Sequence, residues 1–159
     1  FQVAYQINNY LFTHAGVSNK WHEKHYESIN DMFLKITDYD RPEDSPNVLG
    51  VYERTGMFVY KEDKKTTLAD VLNCILETSK RDILFEMSNV RNKSTVEGRV
   101  AGMLWADKSE TNSDYLDGYN QVCGHSQVNE ITVLAYKDSS ITYTDCLGVK
   151  EEFLTLEIR

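Results

Sequence analysis

A chain of 159 residues with 41% hydrophobic content can bury one core and predicts a single domain over residues 1–159. With 25 acidic against 17 basic residues the net charge is −8, which repels a nucleic-acid backbone and argues against nucleic-acid partners. No apolar run approaches the ~18 residues of a membrane span and no basic-then-apolar leader opens the chain, so no membrane partner and a cytoplasmic location are expected. The cysteines Cys74, Cys123 and Cys146 are odd in number and widely spaced, which fits reduced thiols better than a zinc ribbon or a disulfide scaffold.

The chain opens on Phe1 rather than Met, inside a strand pattern, so residues upstream are expected in the natural protein. Phe1, Val3, Tyr5 and Ile7 alternate before Asn8-Asn9, and Tyr10 to Phe12 follow, predicting a β-hairpin that ends at His14. Ser18 is placed to cap a helix through about Tyr26, and Ser28 another through about Ile36, with Ile29, Met32, Phe33 and Ile36 at helical spacing. Arg41-Pro42 and Ser45-Pro46 break the pattern, after which Val51-Tyr52 and Met57 to Tyr60 flank Thr55-Gly56 as a loop with a small hairpin.

Thr67, with Asp70 three residues on, marks a helix start, and Leu68, Val71, Leu72, Ile75 and Leu76 trace one apolar stripe. After a polar stretch comes the apolar knot Met103-Leu104-Trp105, and Asp107 to Gly118 reads as an acidic loop. Gln121 to Gly124 is a strand leading into His125. Ile131–Tyr136, Ile141–Asp145 and Phe153–Ile158 read as three strands closing the chain as an antiparallel meander.

The pattern with the most chemical content is a pair of histidines in matching settings, Tyr10-Leu11-Phe12-Thr13-His14-Ala15-Gly16 and Gln121-Val122-Cys123-Gly124-His125-Ser126. Each apolar run stops at a His beside a Gly, which lifts an imidazole off a strand end into a loop where neutral nitrogen can bind Zn, Mn or Fe. If both strands end at one sheet edge, their ring nitrogens should lie within about 5 Å. His22 and His25 share a helix face at i, i+3, a spacing that could chelate a metal, but beside Glu23 and Lys24 they read as a solvated face. Cys123 reads as a buried apolar thiol or a neighbour of the histidines, Trp105 as core or as a wall of the site, and Arg54 and Arg99 as loop arginines within reach of phosphate or simply solvated.

The ordered set of Thr13-His14-Ala15-Gly16, Gly102-Met103-Leu104-Trp105-Ala106-Asp107, Gly118 to His125 and Ile141 to Glu157 resembles the C-terminal half of the calcineurin-like metallophosphoesterases, which include the Ser/Thr protein phosphatases and the diadenosine tetraphosphate hydrolases. The middle segment is similar to their "LLWSDP" stretch, and the tail to their last strands. Gln127 stands where a "GHxH" branch carries a second histidine, and "SAPNYC" is absent, so the likeness is nearest a bacterial or phage-type protein phosphatase.

The resemblance implies an α/β fold, the C-terminal half of a four-layer αββα sandwich with a mostly antiparallel sheet and flanking helices. It implies hydrolysis of phosphomonoesters by a two-metal mechanism with Mn, Zn or Fe, His14 and His125 as metal ligands, and Trp105 and Asp107 near a phosphorylated substrate. The alternatives are a diadenosine tetraphosphate hydrolase-like enzyme or a non-catalytic binding module. The family's "DxH", "GDxxD" and "GNHD/E" motifs do not occur in these residues. No catalytic residue is therefore assigned, the chain alone is expected to be inactive, and self-association through an exposed apolar face is expected.

Overall fold

The computed structural model describes residues 2–37, 48–51, 58–60, 66–90 and 99–158. Strands β1 (Ala4–Ile7) and β2 (Tyr10–Thr13) form the expected hairpin, with Asn8 in the left-handed region at φ 53° as a tight turn requires. Helix α1 (Asn19–Lys24) is capped by Ser18, whose Oγ accepts from the Trp21 amide at 3.2 Å. Helix α2 (Tyr26–Thr37) starts ahead of Ser28, which therefore sits inside it rather than capping it. His25 closes α1 by donating to the Trp21 carbonyl and accepts from the Ile29 amide as the residue before α2, so the first turn of α2 is already formed upstream of Ser28.

Val48–Val51 (β3) and Phe58–Tyr60 (β4) pair antiparallel as a separate two-stranded sheet. Arg54, Thr55 and Gly56, which were expected around its turn, lie outside the described residues. Helix α3 (Leu68–Leu76) has the full capping box of Thr67 and Asp70. It buries Val71, Leu72 and Ile75 completely, at roughly 1.5–3 kcal/mol for each side chain. Asn73 on its other flank serves the edge of the main sheet, accepting from the Val3 and Ala4 amides and donating to the Ala4 carbonyl.

A 3-10 turn at Arg81–Phe85 follows. Residues 108–113, expected as loop, form helix α4 (Lys108–Ser113), because Asp107 and Glu110 make a second reciprocal capping box.

Strands β5 (Asn120–Cys123), β6 (Thr132–Ala135) and β7 (Ser140–Tyr143) complete a five-stranded sheet of order β1-β2-β5-β7-β6. It is mixed rather than mostly antiparallel, since β2–β5 and β5–β7 run parallel while β1–β2 and β6–β7 do not. The expected meander is a two-stranded hairpin. Residues 153–158 form no strand: Phe153 is 88% exposed, and the tail is held instead by the Glu152 carboxylate accepting from the Ile131 amide at 2.8 Å.

The registers place Ala4, Leu11, Gln121, Cys123, Ile141 and Tyr143 on one face of the sheet. All are buried, in clusters with Trp21, α2, α3, Leu84 and Met103 at one end and with Val128 and Cys146 at the other. The opposite face carries Tyr5, Ile7, Phe12, Val122, Thr142 and Val133, of which Tyr5, Ile7 and Val133 are exposed. Among the described residues no helix is long and apolar enough to cross a membrane.

Candidate functional site

Parallel pairing of β2 with β5 is what joins the two histidines. Thr13 stands opposite Cys123, and the Gly124 amide donates to the His14 carbonyl at 2.9 Å, extending the ladder one step past the strand ends. Both chains then leave the sheet at its carboxyl edge, the side on which open α/β sheets gather ligands. His14 Nε2 and His125 Nδ1 lie 3.0 Å apart, with ring centroids at 4.9 Å. The separation falls inside the roughly 5 Å expected from a shared edge.

Several local devices hold this geometry. His125 has φ 62° and is the centre of a tight turn in which the Ser126 amide donates to the Gly124 carbonyl at 2.7 Å. Such a positive-φ turn costs energy for a residue with a Cβ and is sustained by its surroundings. Ser126 Oγ accepts from the Lys108 amide at 2.8 Å, anchoring the turn to the start of α4. On the other strand, Ala15 donates to the Met103 carbonyl and Gly16, at φ 91°, donates to Thr13 Oγ1.

Gln121 is a buried brace that the strand pattern did not reveal. Its amide oxygen accepts from the Val17 amide at 2.7 Å and its amide nitrogen donates to the Val17 carbonyl at 3.0 Å. A side chain on β5 thus takes the place of a ladder partner for the loop beyond His14. The only cue in the sequence was a Gln at an inward strand position.

Trp105 reaches the site through a closely packed loop. Gly102 donates to the Glu86 carbonyl, and a Cβ at Gly102 would stand 2.5 Å from the Leu84 carbonyl oxygen, so no side chain fits there. The loop sets the Trp105 ring edge-on to His125, with centroids 5.6 Å apart at 86°. Trp105, His14 and His125 together line a cleft of about 680 Å³.

Asp107 does not line that cleft. Its Oδ1 accepts from both the backbone amide and the hydroxyl of Ser109, at 2.9 and 2.8 Å, as the cap of α4. Cys123 is buried, and that burial pushes its thiol up to about 12, as for an unreactive apolar thiol. His25 is not on a solvated face: it packs on Trp21 and its Nε2 lies 2.8 Å from a Glu86 carboxylate oxygen that Lys24 also approaches at 3.0 Å. His22 stands apart from that pair, and its partial burial lowers its pKa. Arg99 is exposed.

The 3.0 Å contact is a hydrogen bond between the two rings, one nitrogen donating and the other accepting, and the separation is also that of two nitrogens bound at 2.0–2.1 Å to one ion at roughly a right angle. His14 and His125 do not amount to a two-metal centre. Among the described residues there is no group of three or more His, Cys, Asp or Glu able to hold a metal ion. Comparison of the chain with protein-family models, with curated proteins and with solved structures gave no match.

Proposed function

We propose that the protein is a metal-dependent phosphoesterase of the Ser/Thr protein phosphatase-like kind, in which His14 and His125 are two ligands of one divalent ion. The observation that carries this is the convergence of their ring nitrogens to 3.0 Å from strands remote in sequence. An ion of Mn, Zn or Fe bound there would supply Lewis-acid polarisation of a phosphoryl oxygen and a nucleophilic hydroxide. The chain's own contribution is positional: the β2–β5 ladder fixes the two imidazoles, the Gly124–Ser126 turn aims one of them, and Trp105 walls the site on the His125 side.

The remaining ligands and any proton donor to the leaving group belong, on this reading, to residues outside those described. The proposed fold is correspondingly the metallophosphoesterase sandwich, with the part of the open face beyond Tyr5 and Phe12, towards Val122 and Val133, as the surface on which its second sheet would pack. Zn binding by the 159-residue chain is expected to weaken by about 100-fold or more in either His14→Ala or His125→Ala, since loss of a direct ligand exceeds the roughly 10–100-fold of an outer-shell change. Calorimetric titration measures it, and unchanged Zn affinity in both variants would sink the proposal. Turnover of p-nitrophenyl phosphate by the unsupplemented chain is expected to fall far below about 1 per second.

A further inference from the structure

The cleft that ends at the histidine pair is walled by aromatic rings. Tyr5 and Phe12 come from the open face of the sheet, with ring centroids 6.0 Å apart. Phe85 and Trp105 come from the segments that pack beside it. Among the described residues, none lining the cleft is Lys, Arg, Asp or Glu, and its titratable nitrogens, those of His14 and His125, lie together. Its volume of about 680 Å³ lies within the roughly 300–1,000 Å³ of small-molecule sites, which combine apolar walls with a few convergent polar groups.

We infer that this cleft binds a planar aromatic group carried by the phosphoester, with the phosphoryl end at His14 and His125 and the ring between Tyr5, Phe12, Phe85 and Trp105. The phosphoryl end of the inference rests on the function proposed above, whereas the aromatic end rests on the cleft alone. A flat ring suits these walls because offset and edge-on contacts between rings add to the gain from burying their surface. A charged organic group would lose its hydration against the ring walls, where the described lining offers Gln2, Thr13 and the two histidines as its polar partners. Tyr5 is 55% exposed and Phe85 44% exposed, so both rings have surface to give to a ligand. A phenyl ring and a nucleobase both satisfy this chemistry.

The test is calorimetric titration of the full 159-residue chain with phenylphosphonate, adenosine 5′-monophosphate and methylphosphonate, with and without Zn. At least one aromatic probe is expected to bind about tenfold or more tightly than methylphosphonate, and the tighter of the two identifies the ring. Tyr5→Ala and Phe85→Ala truncate exposed side chains and so spare the fold, and each is expected to remove most of that preference. Equal affinity for all three probes, or no measurable binding of either aromatic one, overturns the aromatic site and leaves the phosphoesterase reading standing. An aromatic preference that persists unchanged in the His14→Ala and His125→Ala variants, with no response to Zn, supports the site and removes the phosphoryl assignment.

Discussion

His125 is held at φ 62°, where a Cβ meets the backbone unfavourably and glycine does not. That predicts an inversion of the usual ranking of small substitutions. Both His125→Ala and His125→Gly lose the imidazole and its 3.0 Å contact to His14, but the glycine variant also sheds the strain and should be the more stable by about 1 kcal/mol. Urea unfolding of the two variants decides it, and an alanine variant as stable as the glycine one would mean that the turn relaxes at no cost. Two residues away, Cys123 gives the chain a pH signature. Burial raises its thiol from an ordinary 9.0 to about 12, so below pH 9 both folded and unfolded chains carry the neutral thiol and stability is unaffected. Above pH 9 the unfolded chain ionises while the folded one does not, and stability should fall by about 1.4 kcal/mol per pH unit from this group. Cys74, raised to about 11, and Tyr143, also raised by burial, act in the same direction. Cys123→Ala should therefore flatten the alkaline decline without abolishing it, as read from denaturation midpoints across that range.

At the level of the elements, α4 separates two roles for one carboxylate. The resemblance to phosphatases assigns Asp107 to the substrate side, whereas the structure has it capping a helix through Ser109. Asp107→Ala should cost about 1 kcal/mol, the usual loss for a cap, and Asp107→Asn should recover it, since asparagine caps about as well. Phosphonate affinity should track neither change; a fall in affinity with Asp107→Asn at unchanged stability would return the residue to the binding site. The same helix shows why part of the fold was hidden in the sequence. Thr67 and Asp70 announced α3 because an apolar stripe followed them, while Asp107 and Glu110 stand at the same spacing in front of Lys108-Ser109-Glu110-Thr111-Asn112-Ser113, where no stripe exists and the acidic composition reads as loop. The tail failed in the opposite sense. Residues 153–158 alternate as a strand should, but alternation describes one chain and a strand needs a partner.

The sheet as a whole extends that point. Hairpin β1–β2 is local and was legible, but the parallel pairing β2–β5 that brings His14 to His125 spans 111 positions and left no mark in either segment beyond two similar endings. The Gln121 brace and the crowded Gly102 were illegible for the same reason, because their partners, Val17 and Leu84, are remote in sequence. The two faces of the sheet also set the behaviour of the molecule in solution. One lies beneath α1, α2 and α3 and is buried; the other presents Tyr5 at 55%, Ile7 at 38% and Val133 at 58% exposure, with Phe12 and Val122 between them. Thr142, midway across that face, is buried, so the exposed apolar side chains lie on its two edge strands, where such groups favour association, and β1, at the edge of the sheet and bonded to Asn73 at Val3 and Ala4, adds hydrogen-bonding groups that another chain can meet. The chain is therefore expected to associate with rising concentration and to bind a hydrophobic dye. Ile7→Lys and Val133→Lys together should reduce both effects without lowering stability by more than about 0.5 kcal/mol each, the range for exposed positions. Sedimentation velocity over a concentration series is the measurement. A species that stays monomeric and dye-free at every concentration would show that this face needs no cover, and the double-sheet sandwich proposed for the fold would lose its main structural support.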